Sequence, residues 1–253
     1  MFLTSNNNQN LLKNIEEIGL TNEIINKRDV LIKINLGRPT INRPRTDMTI
    51  LKTVVNYIYE NGGRCAIAES LEGSLTELLI AYGFEDVLKQ YKLKIIDIDS
   101  EDYDKVLSYG EQHYISKCFQ EYPIRIAIPA TSNRYGLYSN NIKLFVGATP
   151  RKMYQLDAAN ADKGAPFYPR PKIHQNLQLS IANLFLAVQK YSPFQFYING
   201  GLSFNKNIGE FNFTETFVGN NALELDCHIF QTFFNNSEYP DYLNILQTRI
   251  SND

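Results

Sequence analysis

The sequence predicts an α/β fold, in which a mostly parallel sheet has helices on both faces. Three short apolar segments, 30–36, 64–68 and 93–98, alternate with amphipathic helical segments. This alternation is typical of parallel strands that are joined by helical crossovers. Two further apolar segments, 124–128 and 194–198, extend the expected sheet to five strands.

The elements of the first half are clear because their apolar periodicity is regular. Apolar residues from Leu11 to Ile18 are spaced as on one face of a helix. Gly62 is a typical helix C-cap, and the two prolines of segment 37–46 predict a loop. The expected elements are helix 9–20, strand 30–36, loop 37–46, helix 47–60, strand 64–68, helices 74–82 and 85–91, and strand 93–98.

The second half is less regular. Residues 99–110 are acidic and predict no regular element, and 149–171 contain three prolines and predict a long loop. Loops of that length inside a domain are usually functional or mobile. The other expected elements are strands 114–119 and 124–128, an alternating and therefore extended segment 140–147, helix 172–191, strand 194–198, and helices 220–234 and 239–250.

The chain shows no internal repeat and no linker. Its 253 residues suit one large domain or two small ones. We therefore expect a single α/β domain over residues 1–253, in which the stretch 99–171 is a possible insertion or lid.

The composition excludes several classes of function. The chain carries 25 Lys and Arg against 27 Asp and Glu, a net charge of -2, which argues against a nucleic-acid-binding face. No segment approaches the ~20 apolar residues of a membrane span, and the N-terminus does not resemble a secretory signal. The 3 cysteines are far apart, which favours a reducing compartment, and we expect a cytoplasmic protein.

Common cofactor motifs are also missing from the sequence. It has no closely spaced histidine pair for zinc, no phosphate-binding P-loop, no dinucleotide-binding glycine motif and no nucleophile-elbow serine. We predict no metal site. The identity of any cofactor and the oligomeric state stay open.

Lys33 is an anomaly, because it lies inside an apolar strand that should be buried on both faces. A lysine there must find a partner, reach solvent or lower its pKa. Asn35 follows two residues later, on the same face. Either the strand lies at an edge with Lys33 exposed, or Lys33 and Asn35 point toward a ligand.

Polar residues collect where the predicted strands end, which is where α/β sheets bind ligands. The loop after the first strand carries Arg38, Arg43 and Arg45, which either clamp a carboxylate or phosphate or lie solvated on the surface. Glu69 ends the second strand. It is expected to be either a general base, a metal ligand or a cap of the next helix. Asn199 ends the strand near 198.

Of the three histidines, His174 is the best placed for a function. It opens the long predicted helix and follows the loop 149–171. The helix dipole there would lower the pKa of its imidazole and favour anions nearby. His113 and His228 are expected to be structural or exposed.

Several segments resemble one known family. The segment 30–36, VLIKINL, is similar to the first strand of the family called domain of unknown function 362. The segment 66–70, AIAES, is similar to a family strand that ends in an acidic residue and a serine, and 81–99 to the helix and strand that follow. The resemblance covers residues 28–235.

The resemblance implies further site residues in the second half. Lys143 matches a lysine of the family, and His174 matches a later histidine. Asn133 and Asn199 stand where the family has histidine and aspartate. Asp226 lies in a segment similar to a family helix, and is one of two carboxylates expected near Lys33.

Two functions follow as hypotheses. One is an enzyme that acts on a small anionic metabolite in a cleft at the carboxyl ends of the strands. The other is a non-catalytic binding or accessory protein that keeps the same pocket. The candidate catalytic residues are Lys33, Glu69, Lys143 and His174, and the candidate substrate-binding residues are Asn35, Arg38, Arg43, Arg45, Asn133, Asn199 and Asp226.

Overall fold

A computed structural model describes residues 2–5, 8–36, 44–71, 73–134, 137–155, 170–205, 209–235 and 238–251. Their strands are β1 (Phe2–Ser5), β2 (Asp29–Ile34), β3 (Arg64–Glu69), β4 (Lys94–Asp97), β5 (Tyr103–Ser108), β6 (Glu111–Ser116), β7 (Ile124–Ile128), β8 (Ser132–Arg134), β9 (Leu137–Ser139), β10 (Phe196–Asn199), β11 (Leu202–Asn205), β12 (Gly209–Asn212) and β13 (Thr216–Gly219).

The helices surround these strands. They are α1 (Asn8–Glu17), α2 (Leu20–Lys27), α3 (Met48–Glu60), α4 (Leu75–Ala81), α5 (Glu85–Tyr91), α6 (Asn141–Leu144), α7 (Pro171–His174), α8 (Leu177–Tyr191), α9 (Ala222–Phe233) and α10 (Asp241–Ile250). Short 3-10 helices span Lys117–Phe119, Phe145–Ala148 and Arg151–Tyr154.

The main sheet has 7 strands in the order β1-β13-β10-β7-β2-β3-β4. The five strands that the sequence predicted share this sheet, and neighbours from β10 to β4 run parallel. The sheet is nevertheless mixed, because β13 pairs antiparallel with both β10 and β1. The prediction of a mostly parallel sheet is therefore only partly confirmed. Strand β13 follows β10 without a helical crossover, so it returns in the opposite direction.

Two smaller sheets accompany it. Strands β12, β11, β8 and β9 form a four-stranded sheet, and β5 pairs with β6 in a hairpin. The sequence predicted no strand over 99–110, but β5 forms there. Its turn residues Tyr109 and Gly110 adopt φ angles of 48° and 76°, and this turn returns the chain for pairing.

The main sheet is buried on both faces. Along β2, Val30, Ile32 and Ile34 join one apolar cluster and Leu31 joins the other, as strand alternation requires. Helices α1 to α5 pack on the first face, and α6, α8, α9 and α10 pack on the second. No helix in the described part of the chain is long and apolar enough to cross a membrane.

Two predicted elements in the second half were wrong. The segment 140–147 is helical rather than extended, because the carboxylate of Asp226 accepts hydrogen bonds from the first backbone N–H groups of α6. The predicted helix 172–191 is two helices, α7 and α8, that break at 175–176. His174 therefore ends α7 and does not lie in the first turn of the long helix.

Candidate functional site

Lys33 and Glu69 form an ion pair inside the protein. Lys33 is fully buried, and its Nζ donates to Glu69 Oε1 over 2.9 Å and to the Ile34 carbonyl over 2.7 Å. Glu69 Oε1 also accepts from the Ser70 backbone N–H over 2.7 Å. Burial lowers the pKa of Lys33 and raises the pKa of Glu69, while the attraction between the two charges opposes both shifts. Glu69 thus supplies the counter-charge that a buried lysine requires.

Gly147 closes over this ion pair. A Cβ atom at this position would lie 3.1 Å from Lys33 Nζ and 3.2 Å from Glu69 Oε1. Any larger side chain would press on both charged groups. The helical stretch that carries Lys143 and Gly147 is therefore held against the pair.

Gly147→Ala is expected to destabilise the protein by about 1–3 kcal/mol, because the added methyl group overpacks a buried ion pair. Helix propensity alone would favour alanine by up to about 1 kcal/mol. A net loss of stability, measured by urea unfolding, would therefore confirm that Gly147 packs against the ion pair. Unchanged or increased stability would contradict this contact.

A hydrogen-bonded network continues from Glu69 to the end of β4. Ser70 Oγ donates to Asp99 Oδ2 over 2.5 Å, and Asp99 accepts from the Arg151 backbone N–H and Nε over 2.6 and 2.8 Å. Arg151 also donates to the Leu71 carbonyl over 2.8 Å. Lys33, Glu69 and Asp99 lie at or just beyond the carboxyl ends of three neighbouring strands. This is the edge where α/β sheets bind ligands.

Arg170 joins the same network and is 5% exposed. Its Nε donates to the carbonyl and hydroxyl of Thr149 over 3.0 and 2.9 Å, and its Nη2 donates to Ser70 Oγ over 2.5 Å. It forms no ion pair with a carboxylate of the described chain. Burial lowers the pKa of Arg170 to about 10. The guanidinium is thus buried against neutral oxygens.

Arg170 is the cation of this network that has no ion-pair partner of its own. The side chains joined here are three cations, Lys33, Arg151 and Arg170, and two carboxylates, Glu69 and Asp99, and a third carboxylate, Asp97, accepts from the Asp99 backbone N–H. Lys33 pairs with Glu69 and Arg151 pairs with Asp99, while Arg170 is attracted by the charges of Asp99 and Glu69 without an ion pair to either. A buried cation without a direct counter-charge is costly, and an anionic ligand beside it would reduce that cost.

Lys143 and His174 form a second, smaller cluster. Both are half-buried, and burial lowers the pKa of each. The charge of Lys143 lowers the pKa of His174 further, which places the two groups near each other. The ammonium of Lys143 makes no hydrogen bond or ion pair with the described residues. A lysine with a lowered pKa beside a histidine that is kept neutral is suited to proton transfer.

Replacing Lys143 with methionine is expected to raise the pKa of His174, because a positive neighbour is removed. It should also raise stability at neutral pH. The pKa of Lys143 is lower in the folded state, so its charge costs stability at every pH below its unfolded pKa. NMR titration of His174 and urea unfolding test both effects, with exposed Lys105→Met as the control. An unchanged His174 pKa would contradict the proximity.

Asp226 and Asn199 lie in a separate polar cluster, which does not include Lys33. Asp226 is fully buried and accepts from the backbone N–H of Asn141 and Ile142 over 3.1 and 3.0 Å. Asn199 Oδ1 accepts from Asn141 Nδ2 over 2.8 Å. Burial raises the pKa of Asp226 to about 7. The two residues fix the start of α6, on which Lys143 lies.

The remaining predicted site residues are dispersed. The Asn35 backbone N–H donates to Thr46 Oγ1 over 2.9 Å, so the chain after β2 is held at this position. Asn133 is buried on β8 of the four-stranded sheet. Arg45 lies over the ring of Tyr82, 4.7 Å from its centre. Arg38 and Arg43 lie outside the described residues, as does most of the loop 149–171.

Sequence reasoning missed Asp99, Arg151 and Arg170. Asp99 follows a predicted strand end in the same way as Glu69, and that signal could have found it. Arg170 lies in a proline-rich segment and contacts Ser70, 100 residues earlier in the chain. No local pattern marks such a contact. No group of three histidine, cysteine, aspartate or glutamate side chains suited to a metal occurs in the part of the chain that the structure describes.

Comparison with known proteins identifies the family of this chain. Residues 30–230 match the family described as Domain of unknown function (DUF362). The matched range includes Lys33, Glu69, Lys143 and Arg170. No curated protein matches the chain.

Proposed function

This chain belongs to the family DUF362, and we propose that it is an enzyme that transfers a proton to or from a small anionic molecule bound beside Arg170. The observation that carries the proposal is the buried guanidinium of Arg170, which has no ion-pair partner among the described residues, in the network at the carboxyl ends of β2, β3 and β4. Carboxylates and phosphates match the planar guanidinium of arginine.

The proton-transfer role is assigned to Lys143 and His174. His174 follows Arg170 by four residues, so the two positions are one helical turn apart along α7. Burial and the Lys143 charge both favour the neutral imidazole of His174, which can accept a proton. The proposal requires that an anion held by Arg170 extends as far as this base. The sequence predicted Lys33 and Glu69 as catalytic. In this proposal their ion pair has a structural role and stabilises the network.

The second candidate function is a binding protein without catalysis. One observation favours it: Lys33 and Glu69 satisfy each other and are 0% and 5% exposed. A ligand cannot reach Lys33 unless that pair opens. In this alternative the anion site persists, but no group exchanges protons with the ligand.

Exchange of ligand hydrogens with solvent distinguishes these functions. The protein would be incubated in D₂O with a panel of small carboxylates and phosphate monoesters, and deuterium incorporation would be followed by NMR. The enzyme hypothesis predicts exchange at one C–H position of a bound panel member. The exchange should be lost in His174→Gln and kept in the control His228→Gln.

The other outcomes are equally informative. Binding without exchange would favour the non-catalytic protein. Exchange that persists in His174→Gln would remove His174 from the reaction. If no panel member binds, both functions are contradicted for these anions.

We also propose a cytoplasmic location, supported by the chemistry of the cysteines. Cys65, Cys118 and Cys227 are all free. Burial raises the pKa of Cys65 and Cys118 to about 12, so neither thiol is activated. Free thiols persist in a reducing compartment.

A further inference from the structure

A polar cavity of about 470 Å³ lies next to the anion network. It opens to solvent and is lined by the β5–β6 hairpin, the 3-10 helix Arg151–Tyr154, α7 and α8. Its volume falls within the range of small-molecule sites, about 300–1,000 Å³. In the described chain, neither Lys33 nor Arg170 lines it.

The cavity wall is rich in neutral hydrogen-bonding groups. Most of these side chains are exposed or half-buried, so a bound ligand would have to replace their hydrogen bonds to water. A ligand with several hydroxyl groups could both donate to them and accept from them. The neutral polar residues of the wall are Gln112, Tyr114, Tyr154, Gln175, Asn176 and Ser180.

One buried side chain of the wall has an unused hydrogen-bonding atom. His113 is 4% exposed, and its Nε2 has no hydrogen-bond partner among the described residues. The nearest charged group is Glu111 Oε2, 3.8 Å away, which is beyond hydrogen-bond distance. Burial lowers the pKa of His113, which favours the neutral ring. Because Nε2 is itself buried, His113 shapes the wall of the cavity, and the contacts with a ligand come from the accessible side chains.

The rest of the wall defines the other parts of the ligand. Tyr114 and Tyr154 are packed edge to face with ring centres 6.1 Å apart, and Ile173 adds an apolar surface suited to the C–H groups of a ring. Lys152 and Lys172 are exposed lining residues and outnumber the single carboxylate, Glu111. The excess of one positive charge in the wall favours a ligand that carries one anionic substituent.

We propose that this cavity binds a sugar-sized, hydroxyl-rich molecule that carries one anionic group. The site is separate from the anion network, so it does not depend on the proposed enzymatic function.

Binding of four probes tests the proposal. Glucose 6-phosphate, glucuronate, glucose and benzoate would each be titrated into the full chain by calorimetry, and contacts would be mapped by saturation-transfer NMR. Glucose 6-phosphate or glucuronate should bind, and the one that binds tighter identifies phosphate or carboxylate as the anionic group. Glucose should bind more weakly, and benzoate should not bind in the cavity.

Variants locate the binding. Ser180→Phe fills the cavity and should weaken the affinity about tenfold or more. Gln175→Ala should weaken it several-fold, whereas the matched control Gln90→Ala, exposed on α5, should not. Arg170→Met should leave this binding intact, which separates it from the anion network. If circular dichroism shows that Ser180→Phe does not fold, the affinity of Gln175→Ala decides whether the ligand binds in this cavity.

Three results would overturn the proposal. One is that neither anionic sugar binds. Another is that benzoate competes equally with the sugars. The third is that binding is lost in Arg170→Met, or is unchanged in the cavity variants.

Discussion

Replacing Lys33 with methionine is expected to destabilise the protein by about 3–5 kcal/mol. Methionine preserves the length and apolar packing of the side chain but leaves the buried carboxylate of Glu69 without its counter-charge. Equilibrium urea unfolding measures the loss. Lys105→Met, at an exposed position on β5, serves as the control and should change stability by less than about 0.5 kcal/mol.

The loss should depend on pH with a defined sign. Without Lys33, the pKa of Glu69 in the folded state rises further above its unfolded value, because burial is no longer opposed by the ammonium. The folded variant then takes up a proton as the pH falls, so its deficit relative to wild type should shrink in acid.

A double variant completes the test of the ion pair. Lys33→Met combined with Glu69→Gln removes both charges, and it should recover much of the lost stability because replacing both members of a buried pair is far less costly than stranding one. If Lys33→Met unfolds like wild type, Lys33 does not hold Glu69, and the network cannot depend on it.

The second large effect is expected at Asp226. Asp226→Ala should cost about 3 kcal/mol, because three N–H donors, from Asn141 and Ile142, lose a buried acceptor. The start of α6 would lose its cap, and Lys143 would lose its fixed position. Asp226→Asn keeps one acceptor oxygen and should cost less. Equal stability of all three proteins in urea would contradict the capping role.

Asp226 also predicts a pH dependence. Burial raises its folded pKa to about 7, well above the value of an unfolded aspartate. Between roughly pH 4 and 7 the folded chain therefore binds more protons than the unfolded chain, and the contribution of this group to stability falls as the pH rises through that window. Asp226→Asn should remove this slope, and an identical slope would contradict the raised pKa.

The sheet was largely predictable where the chain has long apolar strands. Segments such as 30–36 and 64–68 stand out because both faces of a central parallel strand are buried. The antiparallel strands β1 and β13 at one side of the sheet span only four residues each, too few to show a period. The helix α6 was missed because its first N–H groups are capped by Asp226, 85 residues later in the chain.

The candidate site was predictable only in part, for a similar reason. Lys33 and Glu69 stand out because a charge interrupts an apolar strand or ends one. Arg170 has no such context, since its partners Ser70 and Thr149 come from other parts of the chain. The expectation that one cleft would gather all candidates was too simple. Asn199 and Asp226 are hydrogen-bonded to α6 instead, and Asn199 lies on β10, two strands away from the β2 strand of Lys33.

The central claim is that the network at the carboxyl ends of β2, β3 and β4 binds an anion through Arg170. Calorimetric titration of inorganic phosphate and oxalate into wild type, Arg170→Met and Arg170→Lys tests it most directly, with the exposed Lys105→Met as a control outside both proposed sites. We expect one anion bound in the network, an affinity weakened about tenfold or more in Arg170→Met, a smaller loss in Arg170→Lys, and no change in Lys105→Met. Equal affinity of wild type and folded Arg170→Met, or no binding to wild type, would contradict it.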